Sequence, residues 1–193
     1  MITVFMKHAK NFISKDNARP LFQTIMFTGT HAMATNTQIC AVIPFNSDRQ
    51  NIDYRTGKII EGESPNWQKY IPDECIGHIR IDHEIVARWA DEFKIALKVS
   101  DKSAYNIFSF KDNVIKTNFF EHEFTCTLPI VSKRGEIDSN FSIEYFLKTM
   151  EFFKDLQADK VTIDFYGKLK PAVVKGNGAI VIISPAFVRE KDE

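Results

Sequence analysis

The sequence predicts an α+β fold in which helices pack on one side of antiparallel β-sheets. Three observations carry that expectation. An amphipathic helical stripe occurs three times along the 193 residues, and each time apolar–polar alternation typical of strands follows it. In the last of these units, Glu136 to Val188, Asn177-Gly178 sits between two apolar runs, the strongest short-range signal for a hairpin. Hydrophobic content of 44% and charged content of 26% are those of an ordinary globular chain, with enough length for a sizeable core.

The N-terminal unit opens with a short helix over Thr3 to Ser14, in which Phe5, Ala9, Phe12 and Ile13 share a face and Lys7, His8 and Lys10 lie elsewhere. After Pro20 the pattern becomes extended. Leu21 to Phe27 read as a strand, Thr28-Gly29-Thr30 as a turn, and Ala32 to Phe45 as one long strand. Asn46 to Pro65 are polar and read as a linker or an excursion from the main sheet, with a small hairpin around Arg55-Thr56-Gly57-Lys58. The next unit starts at Gly77. Ile79 to Ile81 form a strand, Asp82 caps a helix, and Ile85, Val86, Trp89, Ala90, Phe93 and Ala96 make its buried stripe. Strands follow at Ala104 to Phe110, Val114 to Phe120 and Glu123 to Val131, the first two joined at Lys111-Asp112-Asn113. The final unit has a strand lead-in at Glu136 to Asn140 and a helix from the N-cap Ser142 to about Leu156. Ile143, Phe146, Leu147, Met150, Phe153 and Leu156 form its stripe. A strand over Lys160 to Tyr166 and a hairpin over Ala172 to Ser184 complete it. The repeat is one of pattern, with units of fifty to sixty residues and little identity between them.

The 25 basic and 25 acidic side chains cancel, so bulk charge draws the chain to neither nucleic acid nor membrane, and any DNA contact must come from a local arrangement. Cys40, Cys75 and Cys126 are odd in number and scattered, which fits free thiols in a reducing compartment, and with no visible signal peptide or membrane-spanning run the expected location is cytoplasmic. His78 and His83, among Asp73, Glu74, Asp82 and Glu84, lack metal-ligand spacing and read as surface groups. Glu121-His122-Glu123 reads as an exposed edge, and Gly176-x-Gly178 lies in a hairpin, so it is no phosphate loop. Trp67 and Trp89 read as anchors of a core or seam. No nucleophile, metal or cofactor motif points to an enzyme.

Four segments resemble the bacterial DNA sliding clamp family, the beta subunit of DNA polymerase III. Ala34-Thr35-Asn36-Thr37-Gln38-Ile39-Cys40-Ala41 is similar to the A-T-D-x-x-R-L-A of its middle domain, and Pro65-Asn66-Trp67-Gln68-Lys69-Tyr70-Ile71-Pro72 to the F-P-D-Y-x-x-V-I-P that joins its second and third domains. Asp164 to Val174, with Leu169-Lys170-Pro171, resembles T-D-P-L-K-P-V-V-I, and Ala179 to Val188 resembles the terminal strand. On this alignment residues 1–64 correspond to half of a middle domain, 65–72 to a connector and 73–193 to a complete third domain, with the family's first domain and the rest of its second lacking a counterpart.

The resemblance implies a DNA-clamp-like fold of βαβββ half-domains, and a ring whose helices face sequence-independent duplex DNA. Candidate DNA-facing residues are Lys7, Lys10, Arg88, Lys94, Lys98, Lys148 and Lys154; Glu84, Asp91, Glu92, Glu144, Glu151 and Asp155 lie among them, so an ordinary solvated face is the alternative. The resemblance also implies a pocket for short peptides of polymerases and clamp loaders, walled by Thr35, Thr37, Gln38, Ile39, Cys40, Pro72, Pro171, Ile182, Ser184 and Pro185. The alternative is that these residues only pack a seam. Ile39 replaces the family's Arg, Asn36 its Asp, and Ser184 the Met before the terminal Pro. The family ring has twelve half-domains, so three per chain imply four copies of this one, a homo-oligomer of phage or mobile-element type. A peptide-binding module of clamp descent that never encircles DNA is the other reading.

Overall fold

The computed structural model describes residues 1–99, 107–109, 114–119 and 122–186. In the first unit, helix α1 (Ile2–His8) runs into a 3-10 turn at Ala9–Asn11, and a second 3-10 turn at Pro20–Gln23 leads into β1 (Thr24–Phe27). Pro20 sets the φ of that turn, so the extended reading of Leu21 to Phe27 holds only from Thr24. The expected long strand Ala32 to Phe45 is instead a hairpin of β2 (His31–Thr35) and β3 (Ile39–Pro44). Side chains break it. Asn36 Oδ1 accepts the amides of Gln38 and Ile39 at 2.9 Å, Thr35 Oγ1 donates to the Ile39 carbonyl at 2.9 Å, and Thr37 takes φ 79°. Nor are residues 46–65 simply an excursion, because β4 (Gln50–Asp53) pairs with β1 along its whole length.

The second unit contains β5 (Gly77–Asp82) and α2 (His83–Val99), whose start Asp82 caps by accepting the Ile85 amide at 3.0 Å. Then come β6 (Ile107–Ser109), β7 (Val114–Phe119), β8 (His122–Thr127) and β9 (Ser132–Gly135). The expected strand Glu123 to Val131 thus ends at Thr127. The expectations for residues 104–106, 110–113, 120, 121, 187 and 188 lie outside the described residues. The third unit comprises β10 (Asn140–Ser142), α3 (Ile143–Asp155), β11 (Lys160–Phe165), β12 (Ala172–Gly176) and β13 (Ala179–Ile183). Only Asn140 of the lead-in Glu136 to Asn140 is strand, and Ser142 occupies the N-cap without a side-chain hydrogen bond. Asn177 (φ 47°) and Gly178 (φ 76°) both take the left-handed conformation that a tight two-residue hairpin needs.

Nine strands form one antiparallel sheet in the order β4-β1-β2-β3-β13-β12-β11-β5-β9. The join between the first unit and the last is β3–β13, where Cys40 faces Ile182 and Ile39 faces Ile183; the Ser184 amide extends it by donating to the Gln38 carbonyl at 2.8 Å. Strand alternation gives the sheet two unlike faces. One carries Ala34, Ala41, Val181, Val174, Ile163 and Ile79 in a row across six strands, all fully buried under the helices. α3 packs between α1 and α2. Phe5, Phe12, Trp89, Phe93, Phe146, Phe152 and Phe153 fill this layer with none of their surface exposed. The opposite face carries Met26, Met33 and Val42 in register, and the 3-10 turn at Pro20–Gln23 and Trp67 cover it as a second, smaller core.

Candidate peptide cavity and helix surface

The sequence brings an apolar cavity onto the face of the sheet opposite the helices, at the β3–β13 join. Its volume is about 270 Å³. Cys40 and Ile182 are register partners there, Thr35 pairs with Cys40 on the next strand, and Thr37 and Gln38 come from the β2–β3 turn. Ile39, Pro171 and Ser184 complete the set of predicted residues at this cavity. Pro72 and Pro185 do not line it. The lining that the sequence reading missed is Phe22, Met33, Pro65, Trp67 and Tyr70. Three of these stand in the connector segment already singled out by its likeness to F-P-D-Y-x-x-V-I-P. The cavity draws on the start and middle of that segment, and Pro72 stands at its far end. Phe22 stands in the 3-10 turn Pro20–Gln23, where the apolar pattern predicts a strand.

The connector is held where it lines the cavity. Asn51, which is buried, donates through Nδ2 to the Gly62 carbonyl at 2.8 Å and accepts the Ser64 hydroxyl at 2.8 Å. A 3-10 turn, Trp67–Tyr70, follows, with Asn66 Oδ1 accepting the Gln68 amide at 3.1 Å. The Trp67 indole meets the His31 ring edge-on at 5.5 Å. The site has few charges. Burial pushes the Cys40 thiol up to about 12, so it sits as a neutral, weakly polar wall. Such a concave apolar site, with hydroxyl, amide and backbone groups at its rim, suits aliphatic side chains of an extended chain.

The seven predicted DNA-facing cations all lie in the helix layer, on the other side of the sheet. Lys10, Lys94, Lys98 and Lys154 are exposed and enter no described ion pair. The other three are engaged. Lys7 Nζ and His8 Nε2 both donate to Asp155 Oδ2, at 2.6 and 2.7 Å, joining α1 to α3. These two hydrogen bonds, Lys7 first, hold the Asp155 carboxyl below its ordinary 3.8. Arg88 reaches Glu92 at 3.9 Å. Lys148, only 19% exposed, pairs with Glu144 at 2.5 Å and lies over the Tyr145 ring. Lys7, Lys10 and Lys154 gather around one crevice between α1 and α3, whose other rim residues include Glu151 and Asp155. On β5 and α2, His78 pairs with Arg134 and Asp164 in the strand register, whereas His83 opens the helix.

This sheet-and-helix arrangement matches solved structures. The DNA polymerase sliding clamp of Bacillus subtilis superposes with a TM-score of 0.81 at 13% identity, over 97% of this chain and 63% of that one. The fold is that of a bacterial DNA sliding clamp. The beta subunit of DNA polymerase from Streptococcus pyogenes matches with a TM-score of 0.78 at 14% identity, over 96% of this chain and 64% of its own. The sliding clamp of Pseudomonas aeruginosa gives 0.77 at 10% identity, over 96% and 63%. The chain therefore spans under two thirds of the length of each clamp it resembles. No protein-family model matches the sequence, and no curated protein does. At these identities the likeness is one of clamp fold. Among the described residues no helix is long and apolar enough to cross a membrane.

Proposed function

We propose that this chain acts as a DNA sliding clamp, self-assembling into a ring around duplex DNA and tethering a polymerase, a clamp loader or a repair protein through the cavity on its sheet face. Residues 1–64 would act as half a clamp domain, 65–72 as connector and 73–193 as a complete clamp domain. The observation that carries this reading is the division of labour between the two faces. Helices with exposed lysines occupy one side, and a partner-sized apolar cavity opens on the other, so a duplex and a peptide could be held at once. A ring holds DNA by topology, and weak, unspecific phosphate contacts suffice for it. The helix layer fits that requirement: α1 with its 3-10 extension, α2 and α3 carry seven lysines and arginines against six carboxylates, a nearly balanced surface.

The same near-balance favours the second reading, a peptide-binding module that never encircles DNA. Two measurements separate them. Light scattering across a concentration series reports whether a discrete oligomer persists, with four copies expected if the twelve-half-domain ring is kept. Retention on nicked circular DNA, lost when the circle is cut, reports topological linkage. A monomer at every concentration removes the ring. Peptide binding by that monomer would leave the module standing.

A further inference from the structure

We propose that the apolar cavity is one half of a longer groove, and that a polar cavity across Trp67 receives an acidic side chain of the same extended peptide. The inference rests on reading the apolar cavity as a peptide site. The polar cavity has a volume of about 510 Å³ and lies between the β1–β2 turn, β4 and the connector. Pro65 and Trp67 line both cavities, so the two compartments share a wall one indole thick. An extended chain advances about 3.3 Å per residue, so two or three residues carry it from one compartment to the other.

The polar compartment is built by groups that are already committed to one another. Buried Asn51 straps the connector against β4 through Gly62 and Ser64, and Trp67 is fixed by its contact with His31. The lining also carries a guanidinium and an imidazole, Arg49 and His31. Arg49 lies across Gly29, where an added Cβ would stand 3.6 Å from its Nε, and it makes no hydrogen bond or ion pair among the described residues. His31 Nδ1 lies 2.8 Å from the Thr30 hydroxyl, which leaves Nε2 for a ligand. Glu63 is the one carboxylate among the lining residues and is exposed. Arg49 is exposed, and a guanidinium without a protein partner that lines the same cavity as an imidazole is complementary to a carboxylate.

The test is fluorescence anisotropy with synthetic decapeptides that share a Leu-Thr-Leu core, with Glu-Glu or Ala-Ala placed three residues before or after it. The wild-type chain is expected to bind one Glu-Glu peptide about three- to tenfold more tightly than its Ala-Ala counterpart at low salt, with the difference fading near 1 M salt. Arg49→Ala should erase the difference while leaving the Ala-Ala affinity unchanged, and Arg49→Glu should transfer the preference to a Lys-Lys peptide. Equal binding of Glu-Glu and Ala-Ala peptides in both orientations, or an Arg49→Ala variant that weakens all peptides alike, overturns the second compartment and leaves the first intact. Absence of binding by every peptide, or binding undiminished in both Ile182→Asp and the exposed-rim variant Tyr70→Ala, overturns the apolar site and this inference with it.

Discussion

Phe152 meets Phe5 and Phe12 edge-on at 6.4 and 5.6 Å and the His8 ring at 5.8 Å, so one side chain of α3 receives the whole inner face of α1. Phe152→Ala is expected to lower stability by about 3–5 kcal/mol and to free α1 from the layer, as urea unfolding and amide exchange over residues 2–12 would read. Helical periodicity placed Ile143, Phe146, Met150 and Phe153 on the buried stripe but left Phe152 outside it. A single stripe is what a helix shows when it packs on one neighbour; α3 packs on the sheet, on α2 and on α1, and a one-stripe reading leaves out the side that meets α1. Asp155 secures the same contact electrostatically. Its folded pKa is depressed, so its contribution is present above its unfolded value and lost as pH falls through the folded one. Asp155→Asn should therefore be less stable than wild type at neutral pH, with the gap closing as the pH falls below 3.8, a comparison made by thermal melts across a pH series.

Two short stretches hold residues in the left-handed backbone region, one at the cavity and one at the far edge of the sheet. The turn between β2 and β3 places Thr37, a β-branched residue, at φ 79°, a conformation that costs roughly 1–2 kcal/mol. Thr37→Gly should recover about 0.5–1 kcal/mol in urea titrations once the flexibility of glycine is discounted. The likeness to A-T-D-x-x-R-L-A makes Thr35, Thr37, Gln38, Ile39 and Cys40 candidate pocket walls without marking a turn, and the apolar pattern reads straight through them as one strand. The reason is physical: the hairpin is closed by Thr35 and Asn36 hydrogen-bonding to backbone, and hydrophobic alternation carries no record of that. At the far edge, Gly77 and Gly135 face each other across β5 and β9, and Gly135 has φ 80°. A Cβ on Gly135 would stand 2.1 Å from the Ile76 carbonyl oxygen. Gly135→Ala should therefore peel β9 from the sheet, costing more than about 2 kcal/mol and exposing the β5 backbone to amide exchange.

Across the whole molecule, the helix-facing core runs from Phe5 to Ile183 through one continuous sheet, so the first unit and the last should unfold together. Trp67 at the cavity and Trp89 in the helix layer report on the two regions separately. In the Trp67→Phe variant the Trp89 fluorescence, and in the Trp89→Phe variant the Trp67 fluorescence, should each give the same urea midpoint as far-UV circular dichroism of that same variant, and probes that disagree within one variant would divide the molecule into independent parts. The three helix-then-strands units were legible because each obeys its own period. Their union was not, because the pairing of Cys40 with Ile182 is set by the shapes of two distant hairpins. Ile182, Ser184 and Pro171 enter through the likeness of their segments and line one cavity, a spatial relationship that no local pattern contains. Pro72 and Pro185 entered the same way and miss the cavity, since a matched segment fixes a backbone path more closely than the reach of each side chain.

The place of β13 has a consequence for synthesis. It lies in the middle of the sheet but starts at Ala179, whereas β3 ends at Pro44, so β3 emerges from the ribosome long before the partner that will cover its edge. At ribosomal rates of about 5–20 residues per second, the apolar edge of the first hairpins waits on the order of ten seconds for completion. During that interval the nascent quartet β4-β1-β2-β3 presents an open edge to any neighbouring strand, including its twin on an adjacent ribosome. Yield in the cell should then depend on translation speed between β3 and β13 and on the crowding of ribosomes along the message, rather than on the stability of the finished fold.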